Sequence, residues 1–315
     1  MRSAGRAIAG VVVTVLAASV IFLALRGHGG TRPLGTPATT VPTTGSAATG
    51  PAPGTPSPHD SSQDAAAALH ADPLSGPAAA YLAGRSGTVL AAAYDVTTGQ
   101  TWRLGAGAAQ DEASVVKLDV LEALLAQQDG GPLSAADQVL ARSMIEQSDN
   151  TAATSLWYDA GGAAGIGSYN GRAGLTGTTP SPCVSCAGFP WPGWGLTTTV
   201  PQDQLTLLKQ LVVPGRHPLL SAAQRSYALS LMENVTAGQA WGVSGGVPAG
   251  VTVALKNGWL PLNDASTDWQ VNSVGWISGD GRDYLLAVLS TGNPSEQYGI
   301  DTVNGMSSLV WSALR

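Results

Sequence analysis

Hydrophobic positions along this chain fall into three regimes. Ala7 to Leu25 form an almost unbroken apolar run behind Arg2 and Arg6. The run has the length of a single membrane span and is long for the core of a cleaved export signal. The pattern predicts that residues 1–26 are a membrane anchor with an inside N-terminus or, alternatively, a removed signal; a buried core helix is the third reading. Residues 27–61, "TPATTVPTTGSAATGPAPGTPSP" at their centre, hold almost no large hydrophobic side chain. Such a Pro-, Thr- and Gly-rich segment cannot bury a core and reads as a disordered spacer. Stretched at about 3.1 Å per residue, it reaches on the order of 100 Å.

From residue 62 to 315 the pattern becomes periodic. "SSQDAAAALHADPLSGPAAAYLAGR" predicts helix, broken near Pro73. "GTVLAAAYDVTTGQTWRLG" predicts two strands around the turn "TTGQ". A helix follows at "ASVVKLDVLEALL", and "LSAADQVLARSMIEQSDNTAATSLWYDAGG" is mostly helical. A Gly-, Pro- and Trp-rich stretch runs from Gly171 to Gly195. Two helices, "PQDQLTLLKQLV" and "SAAQRSYALSLMENV", precede three strands, "VTVALKNG", "WQVNSVGWI" and "YLLAVLS", and a closing helix ends the chain. The order is helix, two strands, helical insertion, three strands, helix. It predicts an α+β fold: an antiparallel sheet flanked by terminal helices, with a helical lobe and a ligand cleft between them.

Composition narrows the function. The formal net charge is -6 with no basic stripe, which argues against a nucleic-acid partner. Among 15 basic residues only Lys117, Lys209 and Lys256 are lysines. Arginine carries most of the positive charge, so a retained lysine points to an amine that can titrate when desolvated.

Two of those lysines fall in short motifs. Ser114-Val115-Val116-Lys117 is S-x-x-K, Ser148-Asp149-Asn150 is S-D-N, and Lys256-Asn257-Gly258 is close to K-T-G. A serine hydroxyl needs a base to become a nucleophile. Residues three apart on a helix share a face, so Lys117 can reach Ser114. Burial and the charge of Lys256 would depress the Lys117 pKa and let it act as that base. Ser148 would relay the proton to the leaving group, Asn150 would hold a substrate amide, and Lys256 with Asn257 would face a substrate carboxylate. The N–H groups of Ser114 and Trp259 would form an oxyanion hole beside Gly258. Each motif also has an ordinary reading: a helix cap with a solvated lysine, a helix start, and a strand-end turn.

Taken together and in this order, the motifs resemble those of the class A β-lactamase-like serine hydrolases, within the penicillin-binding superfamily. The likeness covers most of residues 62–315. It implies an acyl-enzyme at Ser114, no metal and no cofactor, and a small-molecule or peptide acyl donor such as a β-lactam or a cell-wall peptide. A monomer is expected.

Four departures qualify that resemblance. No Asp or Glu lies between Gly161 and Gln202, where the family carries its hydrolytic glutamate. An acyl-enzyme should then persist. The interval from Ser114 to Ser148 is short, so the helical lobe should be reduced. Asn257 replaces the K-T-G threonine, and bulky Trp259 follows. No arginine lies between Arg225 and Arg282, so a carboxylate clamp would rest on Lys256 and Asn257 alone. These departures also suit a rival reading, a non-catalytic envelope binding module on the same fold.

The remaining candidates are weaker. Cys183-Val184-Ser185-Cys186 reads as a disulfide of an exported domain; a redox site, a zinc site and free thiols are the alternatives. Trp191, Trp194 and Trp259 either line the cleft or pack the glycine-rich loop. Gly242 to Gly246 match G-x-S-x-G, but no histidine follows His217, so a turn is expected there. His70 and His217 read as structural or solvated.

Overall fold

The computed structural model describes residues 69–187, 189–262 and 266–315. The anchor or signal at 1–26 and the spacer at 27–61 lie outside the described residues, as do the first residues of the predicted domain. Among the described residues no helix is long and apolar enough to cross a membrane.

The elements follow the hydrophobic pattern closely. Helix α1 spans Pro77–Ala83, with Pro77 where a missing N–H costs nothing. Strand β1, Thr88–Asp95, turns into β2, Thr101–Leu104. Asp95 Oδ1 accepts from the N–H groups of Thr97 and Thr98, and Gly99 takes the left-handed conformation that closes the turn. A two-residue strand β3, Gln110–Asp111, leads to a 3₁₀ turn at Ala113–Val115 and then α2, Val116–Ala126. Helices α3, Ala135–Glu146, α4, Asn150–Asp159, and α5, Gly162–Ala173, build the helical lobe. The two-residue strand β4, Thr198–Thr199, pairs with β3. Helices α6, Pro201–Val212, and α7, Ala222–Glu233, return to the sheet strands β5, Thr252–Pro261, β6, Trp269–Gly279, and β7, Arg282–Asn293. Helix α8, Glu296–Ala313, closes the chain.

The sheet order is β2-β1-β7-β6-β5, with every pair antiparallel. Side chains alternate across it, as the two-residue period requires. Leu285 and Ala287 of β7 join the core shared with α2, α6 and α7, while Leu286 and Val288 join the core beneath α8. Ala91, Ala92 and Ala93 of β1 are fully buried and split between the two cores in the same way. Short side chains there let helices close on both faces.

Two expectations need correction. The N-terminal helical stretch is helical only at Pro77–Ala83 among the described residues. The lobe also contains α5, which the pattern left unassigned. Its sequence, GAAGIGSYNGRA, carries four glycines, each weakening a helix by about 1 kcal/mol relative to alanine. Tertiary packing overrides that cost: Ile166 and Tyr169 are buried in the core that also contains much of α2. A Cβ at Gly165 would strike the Ala160 carbonyl, so glycine is required for the tight entry into α5.

Candidate active site

Three stretches of backbone meet at one point: the 3₁₀ turn carrying Ser114, the α3–α4 turn carrying Ser148, and β5 carrying Lys256. Two of these positions are conformationally unusual. Ala113, just before the serine, has φ 51°, and Ser148 has φ 59°. Non-glycine residues in the left-handed region cost energy and persist only where surroundings enforce them. At Ser148 the enforcement is visible: Asp149 caps α4 by accepting from Ala152 N–H at 2.7 Å, and Ser148's own carbonyl accepts from Lys117. The S-D-N stretch is thus a helix start as well as a cluster of polar groups.

Lys117 lies on the first turn of α2 and is fully buried. Its Nζ lies within hydrogen-bonding distance of Ser114 Oγ at 2.9 Å, Ser148 O at 2.6 Å, Ser148 Oγ at 3.0 Å and Asn150 Oδ1 at 2.7 Å. Lys256 Nζ reaches the same Ser148 Oγ at 3.0 Å and Asn257 O at 2.8 Å. One hydroxyl therefore bridges two buried amines. Burial pushes the Lys117 pKa well down, and the charge of Lys256 pushes it further, against a smaller opposing pull from Asp149. Burial lowers Lys256 to about 7. Amines so depressed are available as neutral bases near neutral pH.

Gly258 explains how β5 comes this close. A Cβ there would lie 2.6 Å from Ser114 N and 2.7 Å from both Glu112 O and Val115 N. Only glycine lets the strand backbone press against the turn that carries Ser114. Alternation along β5 puts Ala254, Lys256 and Gly258 on the helical side; Leu255, Asn257 and Trp259 are on the α8 side.

That alternation corrects two expectations. Asn257 does not present its amide to the cleft: it is fully buried, and Nδ2 donates to Gln239 O at 2.7 Å and Trp241 O at 3.0 Å. The Trp259 side chain packs toward the α8-side core, its ring centroid 5.7 Å from that of Trp241, rather than beside Lys256. Trp194 lies nearer the serine than sequence reasoning could decide. It is buried, donates from Nε1 to Thr154 Oγ1 at 3.2 Å, and places its ring centroid 5.0 Å from Lys117 Nζ. Trp191 stacks on it at 6.0 Å. Cys183 and Cys186 form a disulfide in the same loop, against which Gly193 packs. Gly242 to Gly246 form a turn, with Gly245 N–H donating to Gly242 O. His70 approaches Asp95 at 3.5 Å, and His217 is exposed.

Among the described residues, no carboxylate hydrogen-bonds Ser114 or Lys117. Carboxyl groups do gather nearby, and sequence reasoning passed over them. Glu112, Asp119 and Glu122 are fully buried. Tyr169 OH donates to Glu122 Oε2 at 2.6 Å, and Gln204 Nε2 donates to Glu112 Oε1 at 3.2 Å. Asp119 lies beside Glu112 and Asn170 without a well-formed hydrogen bond to either. Burial raises all three acids, Asp119 to about 7. The available signal was two acids, Asp119 and Glu122, inside a helix whose other positions are almost all apolar.

Comparison with known proteins agrees with this geometry. A class A β-lactamase from Mycobacterium abscessus superposes with a TM-score of 0.62 at 22% identity, over 75% of this chain and 96% of the other. A β-lactamase from Chitinophaga pinensis gives 0.64 at 21%, over 75% and 97%. One from Xanthomonas campestris gives 0.62 at 19%, over 75% and 96%. At such identities the likeness concerns the fold. Among curated proteins no sequence match is found. Residues 138–314 match the Beta-lactamase enzyme family, a span that includes Ser148, Asn150 and Lys256 and begins after Ser114. The family and the fold support a serine hydrolase. With more than half of its length matched, the chain belongs to the Beta-lactamase enzyme family.

Proposed function

We propose that this protein is an extracytoplasmic serine acyl hydrolase or acyltransferase that forms an acyl-enzyme at Ser114 with an amide or ester donor. The observation that carries this reading is the 2.9 Å contact between Lys117 Nζ and Ser114 Oγ, continued through Ser148 Oγ to Lys256. In the proposed reaction, neutral Lys117 takes the Ser114 proton as Oγ attacks the acyl carbon. The proton passes through Ser148 to the leaving group as its bond to the acyl carbon breaks. Ser114 and Trp259 N–H groups stabilise the oxyanion. Asn150, whose Oδ1 is held by Lys117, offers its Nδ2 to a substrate carbonyl. Gly258 admits the substrate edge.

Deacylation lacks an evident base. Trp194 covers Lys117 on one side, and among the described residues no carboxylate bonds the pair, so the acyl-enzyme is long-lived. Export is supported by the apolar run at Ala7 to Leu25 and by the Cys183–Cys186 disulfide. The proposed location is the outer face of the cell membrane, or the medium if the leader is removed. The missing carboxylate also favours a second reading, a binding module that has lost turnover.

Intact-mass spectrometry with an activated ester and a penicillin separates the two. The enzyme reading expects wild type to gain the acyl mass and Ser114→Ala to stay unlabelled. No mass gain in wild type from any donor establishes the binding module.

A further inference from the structure

The φ of 51° at Ala113, just before Ser114, is a rotation about the bond from its N to its Cα. It therefore depends on how the Glu112–Ala113 peptide plane is held. Asn272 holds that plane. Its Nδ2 donates to Asp111 O at 2.8 Å and to Glu112 O at 3.0 Å. From the other direction, Glu112 N–H donates to Thr197 O at 2.8 Å. The two carbonyls ahead of Ala113 are thus gripped by one side chain.

The sheet places Asn272 for this task. It lies on β6 opposite Gly258 of β5. It shares the helical side with Val274, whereas Val271 and Ile277 face α8. The turn that carries Ser114 therefore rests on two neighbouring sheet positions, one without a side chain and one with an amide. Asn272 is fully buried. Its Oδ1 accepts from Gln270 Nε2 at 2.7 Å and from Ser290 N–H at 3.2 Å. Gln270 Nε2 also donates to Gln110 Oε1 at 3.0 Å. The two ends of the Asn272 amide cannot swap, because the carbonyls of 111 and 112 only accept and the N–H of Ser290 only donates.

We infer that Asn272 is a positioning residue for acylation: by fixing the Glu112–Ala113 peptide it holds Ala113 left-handed and aims the Ser114 N–H at the developing oxyanion. The inference rests on the acyl-enzyme reading and adds to it a residue outside all three motifs. As Ser114 Oγ bonds to the acyl carbon and its proton passes to Lys117, the carbonyl electron pair moves onto oxygen. A misplaced N–H leaves that charge without its donor.

The test follows Ser114 acylation in the full-length chain by intact mass, with 4-nitrophenyl phenylacetate and its thionoester. Sulfur accepts a hydrogen bond more weakly than oxygen, so the oxygen-to-sulfur rate ratio reads the oxyanion donors. Asn272→Leu keeps the bulk and removes the grip. It is expected to slow the oxygen ester about tenfold or more and to lower the ratio. Glycine adopts the left-handed angle without strain, so Ala113→Gly added to Asn272→Leu should restore part of both. Should Asn272→Leu not fold, Asn272→Asp keeps the acceptor for Gln270 and Ser290, sets an oxygen against the two carbonyls, and is expected to lower rate and ratio alike. An unchanged rate, or both esters slowed equally with no rescue by Ala113→Gly, overturns the inference and leaves the acyl-enzyme reading standing. No adduct on wild type from either ester overturns the acyl-enzyme reading, and the role of Asn272 with it.

Discussion

Helix α2 buries ionisable groups on two sides, and the two sides are built differently. Toward Ser148 lies Lys117, whose amine has four acceptors within 3.0 Å. Roughly opposite, by the 3.6-residue turn, lie Asp119 and Glu122, with Glu112 beside them. There both Asp119 oxygens, Glu112 Oε2 and Glu122 Oε1 lack a protein partner. Burial favours the neutral form on both sides, yet only the amine side is arranged for proton transfer. Desolvation alone makes a titratable group unusual; a nucleophile within reach makes it useful.

The sharpest way to break the comparison is to remove the amine. Lys117→Ala is expected to slow Ser114 acylation by about 10²–10⁴-fold, the usual worth of a general base, in timed intact-mass measurements. An unchanged rate would move the base elsewhere, and the two sides of α2 would no longer differ in kind.

Next comes Lys256→Met. Losing the neighbouring cation raises the Lys117 pKa, so the acid limb of the acylation pH profile moves to higher pH. A limb that stays in place would make burial the sole cause of the depression.

Stability should respond to pH in opposite senses on the two sides. Asp119 rises from 3.8 unfolded to about 7 folded, so its contribution is fully present below about 4 and is lost as pH rises toward 7. Lys256 falls from 10.5 to about 7, so its contribution is present above 10.5 and is lost as pH falls toward 7. Urea unfolding of Asp119→Asn should flatten the first slope, part of which the raised Glu112 and Glu122 keep, and that of Lys256→Met should flatten the second, part of which Lys117 keeps. The smallest effect is expected from Trp194→Phe, which deletes the hydrogen bond to Thr154 and weakens the ring's hold on Lys117. About 1 kcal/mol or less of stability should go, read from the same unfolding curves.

The pattern of apolar positions carried most of the architecture, because both cores are built from runs with unmistakable periods of two or 3.6. Helix α6 was readable residue by residue, and strand β7, Arg282–Asn293, through its middle at 284–290. Helix α5 was not, since its glycines contradict the helix that packing imposes. At the site, fixed spacing made Ser114 and Lys117 readable, and motif order linked them to Ser148 and Lys256. The orientation of Asn257 and Trp259 was not readable from a motif string. It depends on which face of β5 each occupies and on a crossing segment, residues 239–243, that no local pattern announces. Trp194 was undecidable for the same reason: a loop position becomes meaningful only through the Thr154 and Lys117 it touches.

Ser148 Oγ belongs to the helical lobe, yet it is held by one amine from α2 and another from the sheet. In the proposed reaction, reactivity at Ser114 would therefore sense whether the lobe is docked. Loosening the α3–α4 corner would disarm the serine while the strands stay paired. Under mild denaturant, labelling of Ser114 should accordingly fade before the circular-dichroism signal does.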